Sequence, residues 1–229
     1  MRKSAVALSV LLCLSAAACG GGGGGTTAAA TTAERNAPAT TGGTSASGCA
    51  PVQVVPRPDG SLAPPKTKLD PKKTYLLVFE TNCGAFTVKL DQTLAPKTAA
   101  SLVYLAKKNF FDGISFHRIV PGFVIQGGDP TATGTGGPGY KTVDPPPATV
   151  RYTHGVIAMA KAGSEAPGTA GSQFFVVTGG DVGLPAEYAV VGKVTDGLDV
   201  VDLIGTLGDP TTEEPTENVV IRDVRVLTT

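Results

Sequence analysis

Residues 116–129 read FHRIVPGFVIQGGD, and this stretch decides the fold of the 229-residue chain. Pro121 and Gly122 form a turn signal between two short apolar runs. The pattern predicts strands over His117–Val120 and Phe123–Gln126, one on each side of that turn.

Outward from this stretch, the chain reads mainly as further short strands. Asn82-Cys83-Gly84 is turn chemistry between two apolar runs, which predicts a hairpin, and Pro96 opens a helix with a buried stripe. A second helical piece covers Asp199–Ile204. The predicted strands outside the opening stretch cover residues 74–80, 86–90, 156–160, 173–178, 189–194 and 219–227. Many short strands with two helices indicate a mostly β fold, an antiparallel barrel or sandwich.

Two further motifs follow FHRIVPGFVIQGGD in the chain: AMAKAG at residues 158–163 and GSQFF at residues 171–175. Together the three segments resemble the cyclophilin family of peptidyl-prolyl cis/trans isomerases, and the resemblance runs over residues 73–229. It implies a closed eight-stranded antiparallel β-barrel capped by two α-helices, with a substrate groove on the outside of one sheet. The expected partners are proline-containing polypeptides and no cofactor is expected, and nothing in the sequence demands more than a monomer.

The resemblance also assigns roles to residues of this chain. Arg118, Phe123 and Gln126 are the expected catalytic residues. The residues expected to bind substrate are Val124, Ala160, Lys161, Gln173, Phe175, Leu184 and Tyr188. His117 precedes the arginine and lies on the opposite side of the pleat, so we interpret it as a structural histidine with its hydrogen bonds satisfied.

Three positions depart from the family pattern. Gly183 stands where many members carry Trp, Tyr188 where many carry His, and Lys161 replaces the common Asn. Tyr188 keeps a ring with a polar tip, and Lys161 should matter little if its main chain does the binding. Gly183 removes a large apolar wall, which affects tight cyclosporin binding more than turnover.

The N-terminus predicts export. Residues 1–18 have the positive start, apolar run and small-residue end of a signal peptide, and Ala16-Ala17-Ala18-Cys19 resembles the lipobox of bacterial lipoproteins. Cys19 is therefore the expected lipidation site, with ordinary signal cleavage as the alternative. Residues 19–72 form a Gly-, Thr-, Ala- and Pro-rich stalk whose Pro-rich end, residues 51–71, either wraps the domain or extends the stalk, and residues 73–229 form the isomerase domain. The expected location is the extracytoplasmic face of the cell membrane.

The cysteine content and the charge balance argue against several classes of function. Cys49 and Cys83 remain in the exported part, where a disulfide is the favoured interpretation and a thiol nucleophile the alternative. With no Cys-x-x-Cys and two histidines, no metal site is expected. The 19 basic residues fall to 17 without Arg2 and Lys3, against 19 acidic ones, so the chain lacks the basic surface of a nucleic-acid binder.

Four other functions can be weighed against the isomerase. The GTGGPG stretch at residues 134–139 formally matches a nucleotide-binding loop, but no helical pattern follows it. No Ser-His-Asp arrangement of a hydrolase is convincing. The serious rival is a chaperone module that grips proline-containing segments with little turnover, since the same groove serves both functions; a lipoprotein that uses the barrel only as a scaffold is a further possibility.

Overall fold

A computed structural model describes residues 47–229 of the chain. The predicted signal peptide, Cys19 and the first part of the predicted stalk lie outside these described residues. The strands are β1 Tyr75–Thr81, β2 Gly84–Leu90, β3 Phe116–Val120, β4 Val124–Gly127, β5 Thr142–Val143, β6 Val156–Met159, β7 Thr169–Ala170, β8 Phe174–Val177, β9 Val190–Asp196 and β10 Ile221–Thr228. The helices are α1 Pro96–Lys107 and α2 Leu198–Gly205. None of the described helices is both long and apolar enough to span a bilayer.

Eight of the strands form one antiparallel sheet that curls into a barrel. The order across the sheet is β10-β1-β2-β9-β6-β8-β4-β3, and β5 pairs with β7 separately. The edge strands β3 and β10 share no continuous ladder; an isolated bridge between Ser115 and Val220 joins them, with Phe116 N–H donating to Val219 O at 2.9 Å. The eight-stranded antiparallel fold and its two helices are confirmed, whereas the expected strict closure is not, because no ladder pairs the two edge strands.

The first hairpin follows from its turn chemistry. Gly84 has a φ of 129°, which suits glycine, and the Thr81 hydroxyl donates to Gly84 O at 2.7 Å. Phe79 and Phe86 then face each other across β1 and β2 and stack with ring centroids 4.9 Å apart. These rings lie in the barrel interior, so the hairpin starts the core.

The sheet carries apolar side chains on both faces. Successive residues alternate, so that Phe174 belongs to the interior core while its neighbour Phe175 belongs to a second apolar cluster on the outer face. Val176 and Val177 divide in the same way. A sheet face that stays apolar outside the core is a candidate binding surface.

The helices are placed by their N-terminal residues and apolar stripes. Pro96 lies in the first turn of α1, where its missing N–H costs little, and Leu102, Leu105 and Ala106 are buried against the core. In α2 Val201 and Ile204 are buried on the same core. Both helices begin within three residues of where the sequence predicts them.

Residues 50–72, which we call the strap, lie along the barrel. Leu62 and Leu69 pack against the interior core, and Arg57 N–H donates to Pro130 O at 2.7 Å. The Pro-rich end of the predicted stalk therefore wraps the domain, the first of the two alternatives that the sequence leaves open. A disulfide between Cys49 and Cys83, the favoured pairing, ties the start of the strap to the turn of the first hairpin. In the chain-entropy account, closing a 34-residue separation stabilises the fold by about 3–4 kcal/mol.

Candidate active site

The strand register places a row of side chains across the outer face of the sheet. Arg118 on β3 is opposite Gln126 on β4, and Gln126 is opposite Phe175 on β8. Phe175 is in turn opposite Ala158 on β6. Directly paired residues share a face of an antiparallel sheet, so the row begins with a cation and an amide and ends in apolar side chains.

The guanidinium of Arg118 is held by two partners. Its Nε donates to Glu213 Oε2 at 2.6 Å, and a terminal nitrogen donates to Gln126 Oε1 at 3.4 Å. The side chains of Arg118 and Glu213 remain 34% and 43% exposed. The guanidinium is thus oriented but accessible, and it retains further N–H groups to donate to a ligand.

A chain of side-chain amides continues from Arg118 along the sheet. Gln126 Nε2 donates to Gln173 Oε1 at 3.1 Å, and Gln173 Nε2 donates to Gly136 O at 2.9 Å. Each amide is oriented by the next, so the donor and acceptor directions of Gln126 are defined by its surroundings. The structure therefore brings Arg118, Gln126 and Gln173 into one hydrogen-bonded network.

Beside this network lies an apolar patch. Its floor is Val124 and Phe175, which are 2% and 5% exposed. Phe123, Leu184 and Tyr188 are partly exposed and pack around that floor. The rings of Phe175 and Tyr188 meet edge to face at 5.5 Å between centroids. All five were predicted from the sequence, and the patch is a surface on which a small apolar ring can pack.

Tyr188 is fixed in the patch through a residue that the sequence analysis missed. The hydroxyl of the fully buried Tyr152 donates to Tyr188 O at 2.8 Å and accepts from Tyr188 N–H at 3.0 Å. Gly183 stands where many family members carry Trp. It has a φ of 64°, and no atom lies within 4 Å of the position that a Cβ would take. The rim of the patch is open at that point.

Lys161 uses its side chain, not only its main chain. The side chain is 2% exposed; its Nζ lies 2.9 Å from Glu187 Oε2 and 5.7 Å from the centroid of the Tyr188 ring. The neighbouring Ala160 N–H donates to Gln173 O at 2.9 Å. The ammonium group therefore forms part of the wall of the patch. The sequence analysis assigned a role only to the main chain of Lys161.

On the far side of the amide network lies a second depression, which we call the side cleft. It has a volume of about 500 Å³. It is lined by residues 134–141, 160–162, Glu165, Gln126, Gln173 and, from the strap, Asp59 and Gly60. Lys141 and Glu165 form an ion pair in its wall. The glycine-rich stretch that superficially matches a nucleotide-binding loop is thus one wall of a cleft beside the candidate active site.

Asp129 organises that wall from below. Its carboxylate is buried and accepts N–H groups of Thr131, Gly134 and Gly136 at 2.7, 2.6 and 3.2 Å. Burial opposes ionisation, but the hydrogen bonds from Thr131, Gly136 and Gly134 outweigh it and lower the pKa of Asp129. An ionised carboxylate therefore shapes the glycine-rich loop.

His117 is not the satisfied histidine that the sequence predicts. Among the described residues, neither buried ring nitrogen has a hydrogen-bond partner. Burial lowers the pKa of His117, opposed by the nearby Asp129 carboxylate and assisted by Arg118. The prediction was wrong because pleat alternation gives the direction of a side chain but not the polar groups that it meets.

Two charged residues of the site, Glu213 and Asp59, carry no sequence signal that would have found them. Glu213 lies in the loop between α2 and β10, and Asp59 lies in the strap. Within residues 47–229, no group of three or more His, Cys, Asp or Glu side chains is arranged to hold a metal ion.

Comparison with known proteins places these features in a family. Residues 76–226 match the family described as cyclophilin type peptidyl-prolyl cis-trans isomerase/CLD. The chain is 37% identical over 174 residues to peptidyl-prolyl cis-trans isomerase A of Mycobacterium tuberculosis, covering 68% of this chain and 94% of the relative. It is 34% identical over 175 residues to a peptidyl-prolyl cis-trans isomerase of Arabidopsis thaliana, covering 75% and 98%.

The fold of this chain also resembles solved structures. A cyclophilin type isomerase of Cryptosporidium parvum aligns with a TM-score of 0.62 and 29% identity, covering 67% of this chain and 98% of that one. The same Cryptosporidium protein, crystallised in the presence of the dipeptide Ala-Pro, aligns with a TM-score of 0.61.

Proposed function

The chain belongs to the cyclophilin-type peptidyl-prolyl cis/trans isomerase family, and from that premise we propose that Arg118 is the catalytic residue of an isomerase that acts on exported proteins. The reaction rotates an Xaa-Pro amide bond whose barrier is about 18–20 kcal/mol. No bond is made or broken, so a catalyst needs only to bind the twisted amide better than either planar isomer.

The arrangement of charge supports this role for Arg118. A twisted amide loses conjugation, and its nitrogen becomes a hydrogen-bond acceptor. A fixed guanidinium donates to that nitrogen in the transition state but finds no such acceptor in the planar ground state. Arg118 lies in one registered row with Gln126 and Phe175, with Phe123 and Tyr188 around the apolar floor, so an N–H donor lies beside a surface for the proline ring. This juxtaposition is the observation that carries the proposal.

Gln126 complements the arginine. Its amide, oriented by Gln173, is positioned to bind the peptide backbone next to the proline. Holding the backbone while the ring rests on Phe175 leaves the imide bond as the part that rotates. Phe123 contributes contact area for the ring rather than polar chemistry.

The test is line-shape NMR exchange on an Ala-Pro peptide with Arg118→Ala. We expect the catalysed exchange rate to fall about a hundredfold or more, in the range that loss of one positioned donor costs. Arg222→Ala, an exposed arginine on β10, is the matched control and should exchange at the natural rate. Equal exchange for the natural chain and Arg118→Ala would remove the assignment, and binding without exchange in both would favour the chaperone module.

For location, we propose that the signal peptide directs export and that Cys19 is lipidated, tethering a monomeric domain to the outer face of the membrane. The resemblance of Ala16-Ala17-Ala18-Cys19 to a lipobox supports the tether, and the Cys49–Cys83 disulfide agrees with an oxidising compartment. We expect the natural chain in the membrane fraction and Cys19→Ala in the soluble fraction. An unmodified mature N-terminus by mass measurement would reject the tether.

A further inference from the structure

The strap fixes one carboxylate in the wall of the side cleft. Gly60 N–H donates to Gly137 O at 2.9 Å, and Gly137 N–H donates back to Asp59 Oδ1, also at 2.9 Å. A Cβ at Gly60 would lie 2.8 Å from the Pro138 backbone, so the two segments are in direct main-chain contact. Asp59 is therefore positioned by backbone hydrogen bonds, although it lies in a segment without secondary structure.

Asp59 is also the charged residue of the cleft that has no ion-pair partner among the described residues. Lys141 pairs with Glu165, and Lys161 pairs with Glu187. Of the charged side chains lining the cleft in the part of the chain that the structure describes, Asp59 alone has no ion-pair partner, and its Oδ2 accepts no hydrogen bond there. The lining residues together with Glu187 thus carry two positive and three negative side chains, which favours a cation over an anion.

The cleft adjoins the candidate active site. The side chain of Gln126 both accepts from Arg118 and lines the cleft, so the two sites are separated by one glutamine. A strand-like peptide advances about 3.3 Å per residue. A peptide with its proline on the Phe175 patch therefore brings a side chain from one or two residues away to the cleft.

We propose that Asp59 is a specificity residue that favours polypeptides with Lys or Arg within two residues of the proline. The cleft, with a volume of about 500 Å³, has room for a long side chain. Pro138 and Tyr140 offer apolar surface to its methylene stem, and Asp59 meets its charged end. The selectivity belongs to the strap and not to the barrel. This inference rests on the proposed isomerase function, since it names the substrate class of that site.

The test uses proline peptides with Lys placed at each position from two before to two after the proline, each matched by a norleucine peptide. We expect the natural chain to prefer Lys at one position by roughly two- to fivefold in kcat/KM, the range of an exposed ion pair. Asp59→Asn keeps an oxygen for Gly137 N–H and removes the charge, so its ratio should fall to about one. Asp70→Asn, also in the strap but outside the cleft, should keep the ratio of the natural chain.

Binding of the same peptides, followed by NMR titration, separates this inference from the function on which it rests. A chain that binds with the Lys preference but shows no exchange would contradict the isomerase and support Asp59. Isomerase activity with no Lys preference at any position, or a preference that survives in Asp59→Asn, would overturn the role of Asp59.

Discussion

At the scale of single residues, the ion pair between Arg118 and Glu213 restricts the orientation of the guanidinium. Strand pairing alone does not supply this restriction. Register places Arg118 beside Gln126, but the guanidinium could still rotate about its long side chain. Glu213 accepts from Nε, one terminal nitrogen donates to Gln126, and the side chain remains 34% exposed. Glu213 thus orients the guanidinium of Arg118.

Glu213→Gln should lower kcat by roughly three- to tenfold with little change in KM, because a neutral amide holds the guanidinium less firmly and small misplacements of a catalytic group are costly. Glu214→Gln changes the adjacent exposed carboxylate and is the matched control. Steady-state kinetics on an Ala-Pro peptide measures both. A change in KM alone would indicate a binding role instead of positioning.

The residues of the row were predictable, and those that orient them were not. Arg118, Gln126 and Phe175 lie within contiguous motifs, where strand period and resemblance give both their identity and their face. Glu213 is 95 positions from Arg118 in sequence, in an irregular loop, with a φ of 61° that no local pattern requires. Only the folded loop brings it to the arginine.

At the scale of elements, β3 carries a histidine whose two ring nitrogens are buried without hydrogen bonds among the described residues, beside the loop formed by residues 129–136. Burial lowers the folded-state pKa of His117 below its unfolded value of about 6.5, and the Asp129 carboxylate opposes this only in part. The unfolded chain therefore takes up a proton at a higher pH than the folded chain does.

The free energy of unfolding should consequently fall as the pH drops from about 7.5 through 6.5 and toward the lowered pKa of His117. Urea unfolding at a series of pH values measures this slope. NMR titration of His154→Gln, which leaves His117 as the one imidazole of the chain, gives its pKa directly. A pKa at or above 6.5 would contradict the expectation.

The helices and strands were more predictable from the sequence than the segments and contacts that connect them. The hairpin, Pro96 at the start of α1 and the alternating strands follow from local sequence. The gap between β3 and β10 and the path of the strap depend on contacts between distant parts of the chain. Ser115 with Val220 is such a contact at the gap, and Arg57 with Pro130 is one along the strap. Composition alone left the strap's Pro-rich segment between wrapping and extending.

At the scale of the whole molecule, the core and the candidate binding surface lie on opposite faces of one sheet. The interior holds the stacked Phe79 and Phe86, whereas the outer face of the same sheet holds Phe175 and the Arg118 row. Substitutions on the outer face can therefore alter substrate choice without opening a cavity in the core. The strap extends this division, because it adds a charge to the binding face from outside the barrel.

The disulfide has a mechanical consequence for a domain of this kind. Cys49 is bonded to Cys83 in the hairpin turn, so tension applied to the chain ahead of residue 49 passes directly into the barrel. The strap that follows lies outside this direct path through the disulfide, so we expect Asp59 to stay at the cleft while the chain before it is pulled. Reduction of the bond would transfer the load to the strap and peel it from the glycine-rich loop.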